Sequence, residues 1–581
     1  MVKSKKFWIW CSVGSLAVLA AWAGWVVWQV NRDLSASITH AEAIQNAVES
    51  GDDTRLKREL AELQKTSSSA AARTSGSTWS ILTQIPLLGD DAEGIEVASN
   101  VLDVLAREGI QPLADASDRF EELLPRSGGV DITAVQAMAE PTSAAYRAFA
   151  EADAALSGVE VTGFVSTLAT RFAELQAKVS SAASSLKSAE VATSILPQML
   201  GAEGPKHHLL IFQNNAEVRA TGGLAGAASL VEARDGKVNL RNHVAGSEFG
   251  ETSRPVLPLD KSEQDLYGDV LGTYFLNAGM TPDVSRASEL LKERWEQRYP
   301  RRRLDGVLLV DAVTISYMLE ATGPINVGGR TLDAKNVVDE LLHNVYLRLP
   351  SNEAQDRFFA EVTRAAFVRF SNGVENPESL ITSLVRAVQE RRLFVHSFDP
   401  EIRERLAGSD ISGGLEADPR GSNPSIVVTL NDTTGAKMSY FLRYDLDVTP
   451  TSCVGGIQSY SVKARMRSTA PRDAASLPAY ITGDGKYGVP PGSQIVTVRI
   501  YSSPGGKIGK LYVNGARGDL VSGPQAGRIV GTTYIQLDPG QTVDLTWTMK
   551  SGVGQTSDTK VWATPTVERE KNSQMRASAC K

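Results

Sequence analysis

The chain opens with twenty-five residues that carry no formal charge, Phe7–Asn31. At about 1.5 Å per residue, a helix of this length is longer than the roughly 30 Å hydrocarbon core of a bilayer. Three lysines precede the run and only Arg32 follows closely, so the positive-inside rule puts residues 1–6 in the cytoplasm. The sequence therefore predicts a single-pass membrane helix over 7–31, with the bulk of the chain extracytoplasmic.

The alternative for this run is a cleaved signal peptide. Such a peptide has an apolar core of about 7–15 residues, followed by a small-residue cleavage site. The run in this chain is longer and ends in Trp-Gln-Val-Asn-Arg-Asp, without an A-x-A pattern. We therefore favour an uncleaved anchor, located in the cell membrane.

Composition narrows the class of protein. With 581 residues, of which 42% are hydrophobic and 22% charged, the chain is globular and long enough for about three domains. Its net charge of −7 argues against nucleic acid as a partner, because a nucleic-acid-binding domain is expected to be basic.

Cysteine is scarce in this chain. Cys11 lies inside the apolar run, which leaves Cys453 and Cys580 as the thiols outside the cytoplasm. An oxidising exterior favours a disulfide between them, which would tie the carboxyl-terminal tail to the last domain. The alternative is two free buried thiols.

The region 32–201 is rich in Ala, Glu, Leu and Ser. Stretches such as Leu56–Leu63 and Phe164–Val179 place apolar residues three or four apart, as amphipathic helices do. Asp52 follows a glycine and is a candidate N-cap. The pattern predicts long helices packed as a bundle or stalk, with a loop or a frayed helix over Thr66–Ser77.

From Lys206 the pattern changes. Apolar strands at His208–Gln213 and Asp305–Val310 alternate with helices such as Ala312–Ala321. This alternation predicts a three-layer α/β domain over 206–407, with its sheet buried between helices.

The last part of the chain has a third pattern. A linker over 408–424 is rich in Gly, Asp and Pro, and seven short β-rich runs follow it. Such runs, separated by turn residues, predict a β-sandwich over 425–581. The predicted fold class is therefore multidomain α+β: a transmembrane helix, a helical region, an α/β domain and a β-sandwich.

Familiar catalytic motifs are missing from the sequence. It contains no HExxH, no GxSxG, no GxxxxGK[ST] and no metal-spaced Cys/His cluster. We interpret His207 and His208, beside a strand, as edge residues rather than ligands. No catalytic residue and no metal ligand is assigned.

The densest polar cluster lies between two apolar strands. A Gly-Gly turn can bring backbone N–H groups close to a ligand, and an arginine can bind a phosphate through two hydrogen bonds. The alternative is a self-satisfied loop in which Arg219 pairs with Glu217. The loop residues in question are Asn214, Asn215, Glu217, Arg219, Thr221, Gly222 and Gly223.

Three segments carry a family resemblance. The runs LLIFQNNAEVRATGG, LDGVLLVDAVTISYMLEATGPINV and NVVDELLHNVYLRLPSNEAQDRFFAEV resemble the family catalogued as domain of unknown function 4012. The resemblance extends over about Lys206 to Phe370. It implies an anchored protein of the cell envelope, of a kind found chiefly in Gram-positive actinobacteria.

A more distant resemblance carries chemistry. The order of elements is similar to that of the LytR-CpsA-Psr phosphotransferases, which move wall polymers from polyprenyl-pyrophosphate carriers to peptidoglycan. Where those enzymes have Arg-Ser-Asp-Thr, this chain has Thr221-Gly222-Gly223, and their Pro-Arg-Asp segment is also missing. Because Mg²⁺ depends on oxygen ligands and their charge, the resemblance does not support a catalytic Mg²⁺.

Four arginines are carried over from this resemblance as possible phosphate contacts. They are Arg219, Arg348, Arg357 and Arg254. Several guanidinium groups meeting in one pocket would suit a pyrophosphate. The alternative for Arg348 and Arg357 is a solvated helix end. Asp305 and Asp311 are interpreted as turn and cap residues rather than bases.

Two functional hypotheses follow. The first is a membrane-anchored envelope protein that binds or transfers polyprenyl-phosphate-linked glycans, or another cell-wall polymer. It predicts an apolar tunnel beside Arg219 and, for catalysis, two carboxylates within reach of one metal ion. The second is a non-enzymatic structural or interaction module of the envelope, which predicts a filled core at that place.

Overall fold

A computed structural model describes residues 2–580, apart from 51, 86–87, 124, 127, 162, 372, 374–376, 416–422 and 570–572. The side chains of residues 2–23 are also outside the described part. The chain forms two compact units, Met1–Leu123 with Asp131–Pro197 and Leu124–Val130 with Gln198–Lys581.

The first unit is helical. Its helices bury small apolar clusters: Ile44 of the first helix packs with Leu60 of the second, and Val101 packs with Leu156 and Phe172. Asp52 is the predicted N-cap, since its side chain accepts a hydrogen bond from the backbone N–H of Arg55. The helices are α1 Val2–Glu49, α2 Asp53–Thr74, α3 Ser77–Leu82, α4 Gly89–Val104, α5 Gln111–Asp115, α6 Ile132–Ala137, α7 Ala139–Ser157 and α8 Ser166–Met199.

The predicted membrane-spanning helix over 7–31 is not supported. Among the described residues, no helix is both long and apolar enough to cross a membrane. The side chains of residues 2–23, which include most of the uncharged run, lie outside the description. Further along α1, Val26, Val30 and Ile44 are at most 7% exposed, so one face of the helix is used in packing. The fold class is corrected to a mixed α+β multidomain protein with several sheets.

The second unit begins with a five-stranded mixed sheet in the order β3-β2-β1-β4-β7. Only β1 and β4 run parallel to each other; the other neighbours are antiparallel. A separate hairpin is formed by β5 and β6. The strands are β1 Lys206–Asn214, β2 Leu224–Arg234, β3 Lys237–Ala245, β4 Gly306–Asp311, β5 Ile325–Val327, β6 Arg330–Leu332 and β7 Leu393–Ser397.

Helices cover both faces of this sheet. On one face, Ile211 and Leu309 pack against Trp295. On the other face, Phe212 packs against a cluster that includes Ile315 and Phe358. The helices are α9 Lys261–Tyr267, α10 Val270–Thr273, α11 Val284–Arg298, α12 Ala312–Thr322, α13 Val337–Asp339, α14 Val345–Arg348, α15 Asn352–Ser371, α16 Pro377–Gln389 and α17 Pro400–Leu406.

Two six-stranded sheets make up the rest of the second unit. One has the order β14-β13-β17-β10-β9 with β12 beside β17, and the other has the order β15-β16-β11-β8-β18-β19. A short helix, α18, spans Ala479–Thr482. The strands are β8 Ser425–Asp432, β9 Leu442–Val454, β10 Ile457–Ser468, β11 Gln494–Tyr501, β12 Lys507–Ile508, β13 Tyr512–Val513, β14 Ala516–Arg517, β15 Val521–Gln525, β16 Arg528–Leu537, β17 Thr542–Lys550, β18 Thr559–Ala563 and β19 Ser573–Arg576.

The core of this β-sandwich lies between the two sheets, where Val428 and Val498 of one sheet meet Trp547 of the other. The outer face of the second sheet is also buried: Tyr501 packs with Leu266 of α9. The α/β part and the sandwich therefore belong to one compact unit. Part of the predicted linker between them, 416–422, lies outside the described residues.

A disulfide joins Cys453 at the end of β9 to Cys580 in the tail. The two residues are 127 positions apart in sequence, and their Cα atoms are 4.9 Å apart. Their pairing encloses most of the sandwich in one covalent loop, which restricts the unfolded chain.

Burial of His396 on β7 gives stability a dependence on pH. The side chain is buried, and burial lowers its pKa from 6.5 to about 4, with the charge of Arg403 acting in the same direction. As pH falls, His396 is therefore protonated in the unfolded chain before it is protonated in the folded protein. The contribution of the neutral His396 to the free energy of unfolding is fully present above pH ~6.5. It is lost progressively toward pH 4, by roughly 2–3 kcal/mol.

We expect His396→Gln to reduce this loss of stability at acid pH. The measurement is the urea midpoint of wild type and variant between pH 7.5 and pH 4. His207→Gln, at a partly exposed histidine, serves as control and should keep the wild-type slope. An unchanged slope in His396→Gln would contradict the assignment.

Candidate functional site

The polar loop 213–223 joins β1 to β2 at one edge of the five-stranded sheet. Gln213 near the end of β1 is paired with Asp311 at the end of β4, so the loop lies at the carboxyl ends of the two parallel strands. In open α/β sheets this edge is the usual location of ligand sites. In this chain the sandwich covers it, and the loop is buried from Asn215 to Leu224.

Arg219 is buried and bonded inside the protein. It is 6% exposed, and its Nη1 donates to the carbonyls of Val218 and Asp432 at 3.0 and 3.2 Å. Its Nη2 donates to Asn277 at 3.2 Å. Burial raises the pKa of Asp432, and the charge of Arg219 acts against that shift. The Arg219–Glu217 pair expected for a self-satisfied loop does not form; Arg219 bonds to the sandwich instead.

Glu217 has a different cation, Lys437 of the sandwich. The Nζ of Lys437 lies 2.7 Å from Oε1 of Glu217 and is 3.7 and 4.8 Å from the ring centroids of Tyr480 and Tyr346. Burial alone would lower the pKa of Lys437, but the charge and hydrogen bond of Glu217, together with the two tyrosines, outweigh it and the pKa is raised. The lysine therefore stays charged in a buried position.

The asparagines of the loop hold neighbouring elements together. Asn214 Nδ2 donates to the hydroxyl of Tyr346 at 2.8 Å. Asn215 Nδ2 donates to Asp311 Oδ2 at 3.0 Å. The Thr221 hydroxyl donates to Gln213 Oε1 at 2.7 Å. Each of these contacts orders the loop within the protein.

The two glycines permit a close approach of backbone to backbone. Gly222 has a φ of +131°, and a Cβ built on Gly223 would lie 2.4 Å from the carbonyl carbon of Asn214. The Gly-Gly turn therefore serves to pack the loop against the end of β1, not to open N–H groups toward a ligand.

We expect Gly223→Ala to destabilise the second unit by about 1–3 kcal/mol, because the added methyl group meets backbone atoms that cannot rotate away. The matched control is Gly226→Ala, where the nearest atom to the new Cβ is at 3.6 Å. Urea denaturation of both variants tests this; equal midpoints would contradict it.

Behind the loop lies a fully buried ion cluster. Arg392 is 0% exposed, and its guanidinium bonds to Asp311 Oδ2 and Glu390 Oε2, each at 2.8 Å. It also donates to the carbonyls of Thr566 and Glu568, which follow β18 of the sandwich. Asp311 in addition caps α12, as the sequence predicts, since it accepts from the backbone N–H of Thr314 at 2.7 Å.

The other three predicted phosphate-binding arginines lie elsewhere. Arg348 pairs with Glu340 at 2.8 Å, and its guanidinium carbon lies 5.3 Å from the ring centroid of Phe358. Arg357 and Arg254 are exposed. Within the described residues, none of these three shares a bonding partner with Arg219. The structure therefore does not bring the four side chains to one phosphate site.

The carboxylates do not form a metal site either. Over the described residues, no group of three or more His, Cys, Asp or Glu side chains could hold a metal ion. Asp305 lies at the start of β4, where it accepts from the backbone N–H of His207 at 2.8 Å and lies 3.6 Å from Lys206 Nζ. The donor set does not fit Mg²⁺.

A cleft of about 490 Å³ lies on the sandwich, away from the loop. Its charged lining residues come from three neighbouring strands, β9, β10 and β17. Arg465 makes two hydrogen bonds to Asp544, at 2.7 and 3.2 Å. These charged residues are Asp445, Asp447, Lys463, Arg465 and Asp544.

The partners of the loop could not be predicted from the sequence. Lys437 and Asp432 belong to the sandwich and lie more than two hundred positions away, so no local spacing connects them with Glu217 and Arg219. Arg392 was also missed, although three charged residues in a row before an apolar strand, Glu390–Arg392, were a visible signal.

Comparison with known proteins supports one part of the sequence analysis. Residues 203–346 match the model of a family described as protein of unknown function (DUF4012). The resemblance to domain of unknown function 4012 is thereby confirmed over this range. No curated protein and no solved structure matches the chain. The similarity to the LytR-CpsA-Psr phosphotransferases is not shown by these comparisons.

Proposed function

We propose that this protein is a non-enzymatic module of the cell envelope that works outside the cytoplasm. The observation that carries this proposal is the internal use of the polar loop. Arg219, which was expected to meet a lipid-linked phosphate, is bonded to the carbonyl of Asp432, and its loop neighbour Glu217 is bonded to Lys437 of the sandwich. Through these bonds the loop holds the α/β part against the sandwich.

The disulfide supports the compartment. Structural disulfides form and persist in oxidising environments and are rare in the cytosol. The Cys453–Cys580 bond is therefore in keeping with a location outside the cytoplasm.

The partner we propose is a cell-wall polymer. The cleft is lined by carboxylate, ammonium and guanidinium groups of β9, β10 and β17, together with apolar and amide side chains of β18 and β19. Such polar groups form hydrogen bonds with saccharide hydroxyls and with charged groups of wall polymers. A rigid sandwich is suited to present this cleft without a chemical step.

The test for a lipid-linked partner is mass spectrometry of lipids that co-purify with the full-length protein. We expect no polyprenyl-phosphate glycan above the level in a mock purification. Arg254→Ala and Arg357→Ala are the informative variants, because both residues are exposed and we expect their substitution to leave the fold intact. A bound lipid-linked glycan that disappears in either variant would overturn the proposal that the α/β part carries no such ligand.

The test for the partner is co-sedimentation with isolated cell walls. We expect the wild-type protein to pellet with the walls and the double variant Asp445→Ala/Asp447→Ala to remain in solution. Both residues are exposed on β9. Equal binding of wild type and variant would remove the cleft from the proposal.

A further inference from the structure

The outer face of the second sheet of the sandwich carries a buried arginine. Arg499 is the sixth residue of β11 and is 4% exposed, because the α/β part covers this face. Its Nη2 donates to the carbonyl of Leu266, and its guanidinium carbon lies 4.6 Å from the ring centroid of Tyr267. These contacts hold one edge of the guanidinium.

The rest of this guanidinium has no partner in the protein. Over the residues that the structure describes, Arg499 makes no ion pair, and its buried Nε and Nη1 have no hydrogen-bond acceptor. The nearby phenols do not supply a negative charge, since burial raises the pKa of both Tyr267 and Tyr501. A buried charge without a counter-charge is strongly unfavourable.

Three buried threonines lie beside Arg499 in the sheet. Thr429 on β8 and Thr532 on β16 are the direct cross-strand neighbours of Arg499, and Thr497 lies two residues before it on the same face. All three are at most 7% exposed, and their Oγ1 atoms have no hydrogen-bond partner of ordinary geometry. Native proteins satisfy nearly all buried polar atoms, often with a water or an ion.

We propose that Arg499, Thr497 and Thr532 bind a small inorganic anion of the halide class between the sandwich and the α/β part. A guanidinium offers only donors, and each hydroxyl can turn its proton toward an acceptor. A halide accepts hydrogen bonds from all sides and neutralises the arginine. The enclosure of all three side chains limits the ligand to a small ion.

The first test is thermal unfolding of the full-length protein in sodium chloride, sodium bromide and sodium gluconate at equal ionic strength. Gluconate is too large for an enclosed site, so we expect Tm to be about 2 °C or more higher in either halide. Arg499→Met should lose this difference. Arg465→Met, at an exposed arginine on the other sheet, is the control and should keep it.

The second test does not depend on the stability of a variant. Crystals of the wild-type protein grown in bromide should give an anomalous peak beside Nε and Nη1 of Arg499. A difference map with water alone at this position would overturn the proposal, as would equal Tm values in halide and gluconate.

Discussion

Arg392→Met is expected to destabilise the second unit by about 3–5 kcal/mol, because it leaves the buried carboxylate of Asp311 without its cation and removes one of the two arginines bonded to Glu390. Asp311 and Glu390 both bond to this guanidinium at 2.8 Å. Burial alone would lower the pKa of Arg392, but the charges of the two carboxylates outweigh it and the pKa is raised. Methionine fills similar space and supplies none of that charge.

Arg392→Met should also weaken the contact between the α/β part and the sandwich. Arg392 is also the donor to the carbonyls of Thr566 and Glu568. We therefore expect faster hydrogen exchange at the amides of β4 and β18 together with a lower urea midpoint. Both measurements are made on the full-length protein.

The matched control is Arg465→Met, which removes an arginine from an exposed pair with Asp544. Exposed pairs contribute little, so the midpoint should hardly change. In Arg392→Met/Asp311→Asn, the carboxylate that lost its cation is gone, and part of the stability should return. A midpoint for Arg392→Met equal to that of the Arg465 control would contradict the role of the cluster.

Elements with strong local signals were predictable from the sequence. The apolar runs that form β1 and β4 and the helix after Asp311 follow from patterns of a few residues. Of the two alternatives for Thr66–Ser77, a loop or a frayed helix, the loop is wrong, since α2 continues to Thr74. Ser67, Ala70 and Thr74 are fully buried on one helical face, and small side chains pack there as well as large ones.

The membrane prediction over 7–31 is the clearest correction to the sequence-based interpretation. No helix among the described residues is long and apolar enough to cross a membrane. At the end of the run, Val26 and Val30 pack with Trp79 and Ala92, a contact that hydropathy alone does not predict.

The sequence predicted the location of the candidate site but not the partners of its charged residues. The polarity of 213–223 marked it as unusual, and the contact between Asn214 and Tyr346 joins two of the three segments that resemble the family. The interpretation as a phosphate site depended on several arginines meeting, which requires knowledge of the tertiary fold. The charged partners came instead from the sandwich, because the loop packs against it and Val218 of the loop is buried in the sandwich core.

Lys437→Met is expected to lower stability by about 3–5 kcal/mol near neutral pH, because Glu217 is then buried without a cation. Lys437 is 6% exposed, and Glu217 is 8% exposed. In the variant the folded protein takes up a proton at Glu217 more readily than the unfolded chain does. The difference in free energy of unfolding between wild type and Lys437→Met should therefore shrink as pH falls toward 5. This is the opposite of the effect of His396, which lowers stability at acid pH.

Glu217→Gln separates charge from packing at the same site. It leaves the lysine against the rings of Tyr480 and Tyr346, which attract a cation, so the expected loss is smaller, about 2–3 kcal/mol. The double variant completes a cycle in which the two losses should not add, since each single change already removes the pair. Urea midpoints at pH 7.5 and pH 5 measure all four proteins. If the losses in stability of the two single variants add in the double variant and do not change between the two pH values, Glu217 and Lys437 do not hold the loop against the sandwich.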